Sequence, residues 1–159
     1  MSVTVRVATL ADAPLILSFI RELAEYERLL HEVEATEADI RRDLFGENPR
    51  SFCEIAEHDG QPVGFALWFY NYSTFRGRAG IYLEDLFVRP EARGVGAGKA
   101  LLAKLARRCV DADLGRLEWA VLNWNTPSIE FYDSLGASAK TEWTVRRLDG
   151  EALERLAAE

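Results

Sequence analysis

Arg93-Gly94-Val95-Gly96-Ala97-Gly98-Lys99 places three glycines and two cations within seven residues, between an apolar strand-like run and a helical one. Glycines let a backbone approach an anion closely, and the first turn of the following helix offers unpaired N–H groups and the positive end of its dipole. Spacing excludes two nucleotide loops. A triphosphate loop needs glycine five positions before the Gly-Lys pair and Ser or Thr after the lysine, where Arg93 and Ala100 stand. A dinucleotide fingerprint begun at Gly94 or Gly96 needs a glycine where Lys99 or Leu101 stands. An anion cradle and a ligand-free tight turn both remain. Three glycines in five residues exceed what a turn requires, which favours the cradle.

Just upstream, Glu84 interrupts the apolar run Ile81–Val88. A carboxylate there is costly unless solvated or partnered, so it marks a cleft or a solvated strand face. Strict alternation puts Glu84 on one face with Tyr82 and Leu86, with Asp85 on the other. A third feature is charge. Between Glu22 and Asp39 stand seven carboxylates (Glu22, Glu25, Glu27, Glu32, Glu34, Glu37, Asp39) against one basic residue, Arg28. Such a rim attracts and orients a cationic ligand; it is equally a solvated acidic helix.

The elements that must position these residues follow from periodicity. Val3 to Ala8 alternates like a strand, and Thr9-Leu10-Ala11-Asp12 opens a helix running toward Leu29 with a capping box. Thr36-Glu37-Ala38-Asp39 opens a shorter helix closed by Gly46. Strands are predicted over Ser51–Glu57, Val63–Tyr72 and Ile81–Val88, the first two joined by a hairpin turn at Asp59-Gly60. A helix carrying Leu101, Leu102, Leu105 and Cys109 follows the glycine loop, then a strand over Leu117–Leu122. Thr126-Pro127 caps and starts a short helix ended by Gly136. A short strand at Ala137–Lys140, a last strand at Glu142–Leu148 and a polar helical tail complete the order. The fold class is α/β: one domain over residues 1–159, with a mixed, mostly antiparallel sheet flanked by helices.

Arg93-x-x-Gly96-x-Gly98 after Tyr82-Leu83-Glu84-Asp85-Leu86-Phe87-Val88 resembles the acetyl-CoA pyrophosphate loop of the GCN5-related N-acetyltransferases. Asn125-Thr126-Pro127-Ser128-Ile129-Glu130-Phe131-Tyr132 resembles that superfamily's later cofactor segment. With Glu22-Leu23-Ala24-Glu25-Tyr26-Glu27, these stretches resemble the diamine (spermidine/spermine) N-acetyltransferases, over essentially the whole chain. The resemblance implies transfer of an acetyl group from acetyl-CoA to a primary amine. It implies Tyr132 as general acid and Glu84 as proton acceptor or amine contact, with Tyr26 and Glu27 also contacting the amine. It further implies that Leu86, Phe87 and Val88 pair with the pantetheine arm. Arg93, Gly94, Val95, Gly96, Ala97, Gly98 and Lys99 then hold the pyrophosphate, and Asn125, Pro127 and Ser128 contact the cofactor. A homodimer is implied as well.

The loop before the cofactor strand, Ser73-Thr74-Phe75-Arg76-Gly77-Arg78, carries two arginines, and Leu30-His31 stand where polyamine-preferring members are more acidic. Both departures count against spermidine or spermine and toward a shorter diamine, thialysine, an amino acid or another small amine. The leading reading is a small cationic substrate, a diamine, polyamine or similar amine; the alternatives in the same chemistry are thialysine, another amino acid, a drug amine or a peptide N-terminus. A non-catalytic acetyl-CoA-binding module is the reading from another class.

In 159 residues, 26 acidic against 19 basic side chains give a net charge of -7, which argues against a nucleic-acid partner. Cys53 and Cys109 are too few for a disulfide framework and lack metal-ligand spacing. The chain has no G-x-S-x-G elbow, and His31 and His58, read as exposed loop residues, form no metal or nucleophile constellation, so no metal is expected. Without a leader-like h-region or membrane-length apolar stretch, a cytoplasmic protein is expected.

Overall fold

The computed structural model describes residues 2–159, which form two compact units, one ending at Leu122 and the other covering Asn123–Glu159. In the first unit the strands are β1 (Val3–Val7), β2 (Phe52–His58), β3 (Gln61–Ser73), β4 (Arg78–Val88) and β5 (Leu117–Trp119). Among the described residues they make one five-stranded sheet in chain order, antiparallel except for the parallel β4–β5 pair. Its helices are α1 (Ala13–Tyr26), α2 (Glu37–Phe45) and α3 (Ala97–Asp111).

Local chemistry explains most boundaries. Asp12 accepts from the Thr9 backbone N–H at 2.7 Å, opening a 3₁₀ turn that leads into α1. Thr36 and Asp39 cap α2 reciprocally. Asp59 and Gly60 both take positive φ, 51° and 80°, the pattern of a two-residue hairpin turn. Helix α1 ends at Tyr26, three residues short of Leu29. Arg28 turns left-handed at φ 64° while Leu29 N–H returns to the Ala24 carbonyl and Arg28 N–H to that of Glu25.

One face of the sheet packs Cys53, Ile55, Phe65, Leu67 and Phe87 against Ile16, Phe19 and Leu23 of α1, with the Phe19 and Phe65 rings stacked at 5.3 Å. The opposite face carries Glu54 and Trp68 beneath α3, whose Arg108 pairs with Glu54. Glu54 is 1% exposed and accepts from both Trp68 and Arg108, which makes its burial tolerable. Cys53 and Cys109 are free and buried.

The second unit holds α4 (Thr126–Ser134) and α5 (Gly150–Ala157). The strands expected at Ala137–Lys140 and Glu142–Leu148 are not formed, and Trp143 and Val145 are 78% and 83% exposed. Alternation marks a segment fit for a sheet but supplies no partner for its ladder. Likewise β5 stops at Trp119 instead of Leu122. His58 is not a loop residue: it ends β2, with a side chain 20% exposed and 3.7 Å from Asp59.

Candidate active site

Strand β4 pairs with β5 only over Ile81–Leu83, opposite Leu117–Trp119, while its pairing with β3 continues to Val88. Along Glu84–Val88 the other edge has no strand partner among the described residues. Such an edge presents N–H and C=O groups able to pair with an extended amide-bearing chain. Leu86, Phe87 and Val88 lie along it, with Phe87 turned into the α1 core.

The alternation expected in β4 is broken. Leu83 faces Trp68 and Asp85 faces Leu67, so Glu84 is an extra residue opposite none, a β-bulge. The bulge swaps faces. Tyr82 pairs with Phe69 and Leu86 with Ala66, which lie on opposite sides of the sheet, so Glu84, Tyr82 and Leu86 do not share one face. Asp85 pairs with Leu67 on the α1 side. There burial, then Glu84, then Glu27 push its carboxyl up to about 7. Glu27, the C-cap of α1, is raised by burial and by Glu84. The Tyr82 phenol is also raised, by burial first and by Glu84 next. Unit one therefore gathers Glu27, Glu84 and Asp85 at the end of α1. Asp85 is the residue that sequence reading set aside. Its signal was the adjacent Glu-Asp pair inside an apolar strand; the bulge leaves Glu84 exposed and sets Asp85 opposite Leu67 on the α1 side.

The glycine loop follows a 3₁₀ turn at Pro90–Ala92. Gly94 and Gly96 take φ of 88° and 90°, and a Cβ built on either meets nothing within 4 Å. Gly96 is the N-cap of α3, and no side chain caps that helix start. Left-handed backbone, open space and uncapped N–H groups together fit the pyrophosphate of acetyl-CoA. Lys99 in the first turn of α3 is exposed. Arg93 points elsewhere: its Nε donates to the Val88 carbonyl at 3.2 Å and its guanidinium lies 5.1 Å from the centre of the Tyr26 ring. Arg89 is bound to α1 by a charge pair with Glu22 at 3.1 Å and by stacking 4.7 Å over Phe19.

Arg76 and Arg78 are anchored at the start of β4, on the Gly115 carbonyl at 3.1 Å and Asp113 at 3.0 Å. Six residue steps along β4 carry the chain from Arg78 to Glu84, roughly 20 Å. Only a long substrate spans that distance.

In the second unit the cap of α4 is Asn125, one residue before the expected Thr126. Its side-chain oxygen accepts from the Ser128 N–H at 3.4 Å, Pro127 sits in the first turn, and Asn125 is 6% exposed. Tyr132 lies one turn further on, half-buried, its ring 5.6 Å from that of Phe131. Among the described residues no group of three or more His, Cys, Asp or Glu is placed to hold a metal ion, and no helix is long and apolar enough to cross a membrane.

Residues 16–137 match the acetyltransferase (GNAT) family. The chain is 42% identical over 166 residues to a thialysine N-epsilon-acetyltransferase of Bos taurus, covering 98% of this chain and 97% of that one. It is 36% identical to a spermidine/spermine N(1)-acetyltransferase-like protein of Homo sapiens, over 98% of this chain and 24% of that protein. An integron cassette protein from the mobile metagenome of V. cholerae superposes with a TM-score of 0.82 at 29% identity, covering 100% of this chain and 99% of its own.

Proposed function

The chain belongs to the acetyltransferase (GNAT) family, and from that premise we propose that it transfers the acetyl group of acetyl-CoA directly to a primary amine of a small cation, a short diamine or a basic amino acid. The observation that carries this reading is the open β4 edge running from Glu84 into the uncapped start of α3. A free strand edge, an anion cradle and a carboxylate cluster lie in sequence along one unit. The family match crosses from the first unit into the second, which supports one acetyltransferase domain over residues 1–159.

Bound acetyl-CoA would supply a thioester carbonyl for attack by the amine nitrogen, forming a C–N bond as the C–S bond breaks. The edge at Leu86, Phe87 and Val88 holds the pantetheine amides. Gly94 to Lys99 hold the pyrophosphate through backbone N–H groups and the Lys99 ammonium, and Asn125, Pro127 and Ser128 add contacts. Tyr26 and Glu27 receive the amine, which arrives protonated because an alkylammonium has a pKa of about 10.4. The Glu84 carboxylate accepts that proton, directly or through water, and the Tyr132 hydroxyl gives one to the departing sulfur. Carboxylates favour the ammonium form, so the acceptor must lie within reach of the nitrogen; the bulge turns Glu84 out of the ladder for that role.

Two readings of the amine remain in play. The spermidine/spermine relative's name supports a polyamine or its shorter diamine kin, and the thialysine relative, 42% identical and collinear, supports a basic amino acid. We further propose a homodimer, supported by the exposed Trp143, Val145, Leu153 and Leu156 of the second unit. The buried free thiols Cys53 and Cys109 suit a reducing compartment, the cytoplasm. The test is thiol release from acetyl-CoA with putrescine, spermidine, spermine, thialysine, lysine and a generic peptide. Rates well above background with the short amines are expected; uniformly background rates would leave a non-catalytic acetyl-CoA-binding module as the better reading.

A further inference from the structure

Arg93 stands between two ligands. It precedes Gly94, where the anion cradle begins, yet its guanidinium lies over the ring of Tyr26, the aromatic residue proposed to meet the amine. An aromatic face that attracts cations takes one at a time, and a guanidinium already stacked on it occupies the place a substrate ammonium would use. Arg89 differs. Its two-nitrogen contact with Glu22, its bond to the Pro62 carbonyl and its stacking over Phe19 fix it firmly.

Phe19, Glu22 and Tyr26 stand at positions i, i+3 and i+7 of α1, so the two arginines grip one stripe of that helix. The grip is uneven. At Phe19 and Glu22 it is a half-buried charge pair; at Tyr26 it is an exposed guanidinium held by a ring face and a neutral carbonyl. The looser arginine is the one beside the cradle. A pyrophosphate is a stronger partner for a guanidinium than a tyrosine ring is, because both groups are charged and their bonds can be paired.

We propose that the Tyr26 ring and the pyrophosphate of acetyl-CoA compete for the Arg93 guanidinium, so that cofactor binding clears the ring for the substrate ammonium and the two ligands bind cooperatively. This rests on the acetyltransferase reading above. It makes Arg93 a residue that holds the amine site shut and opens it, in addition to being a charge beside the cofactor. By linkage the amine tightens cofactor binding by the same factor that the cofactor tightens amine binding.

Calorimetric titration of putrescine and of thialysine, each with and without saturating CoA, tests this. In the wild-type chain CoA is expected to tighten the amine that binds by about tenfold, within the usual span of such couplings. In Arg93→Gln the factor falls to about two or less, chiefly because the amine binds better in the absence of CoA, while CoA itself binds more weakly. Arg93→Met, which keeps an apolar stem but carries no cation to place over the ring, lowers the factor too and guards against a folding defect in the first variant. In the wild-type chain, inorganic pyrophosphate alone should shift the Arg93 Nε–H resonance away from its ring-shielded position. A coupling factor unchanged in both variants, or wild-type amine binding indifferent to CoA, would overturn the proposal and leave the acetyltransferase reading standing. A wild-type chain that binds neither CoA nor either amine would overturn both.

Discussion

Asp85 lies on the α1 side of β4 with Glu84 and Glu27 as its charged neighbours, and its carboxyl is pushed from 3.8 up to about 7. Between those values the folded chain holds a proton that the unfolded chain has lost, so stability must fall as pH rises from about 4 through 7. Glu27 is raised by the same causes and acts in the same direction. Asp85→Asn should therefore flatten most of that fall and melt above the wild-type chain at pH 7.5, as thermal denaturation across pH 4–8 would record. At Tyr132 the loss is chemical. Tyr132→Phe should lower kcat about 10²- to 10³-fold, with CoA affinity unchanged by titration calorimetry. Glu84 and the glycines were legible as chemistry because a charge or a loose backbone in an apolar setting is costly. Asp85 was not, because alternation places it on the Phe87 face without saying that Glu27, from the end of α1, comes to lie beside it.

Capping boxes at Thr9–Asp12 and Thr36–Asp39 and the turn at Asp59-Gly60 depend on neighbours within four residues, and all three formed where the sequence placed them. The end of β5 and the segment 137–149 depend on a distant ladder partner, and there the boundaries moved or the strands were not formed. The helix start at Gly96 gives an element-scale prediction. Alanine there must adopt a left-handed φ near 90°, costing about 1–2 kcal/mol in urea unfolding, and its methyl would intrude on the cradle and weaken CoA several-fold. On the other face, β2 and α3 are joined through Glu54. Glu54→Ala should cost about 2–4 kcal/mol, below the full figure for a buried pair because the Arg108 side chain is 34% exposed.

Across the whole molecule the net charge of -7 matters less than its distribution. Three of the seven carboxylates between Glu22 and Asp39 are tied to arginines: Glu22 to Arg89, Glu37 to Arg41 and Asp39 to Arg42. Of the four others, Glu27 lies beside Glu84 and Asp85, where the three acids gather at the end of α1. For a dicationic amine kcat/KM should accordingly fall several-fold between low and physiological salt, and less for a monoamine, in steady-state assays at both ionic strengths. The architecture, a mixed and mostly antiparallel sheet flanked by helices, could be read from periodicity and turn chemistry. The parting of β4 from β5 could not, because it is a property of two strands separated by a helix. The central claim is direct acetyl transfer to an amine. The most direct test follows free thiol and N-acetylated putrescine or thialysine together, by thiol titration and mass spectrometry, in one reaction with acetyl-CoA. The two products should rise one for one and should both be lost in Tyr132→Phe. Thiol released without acetylated amine, or at a rate indifferent to the amine added, would contradict it.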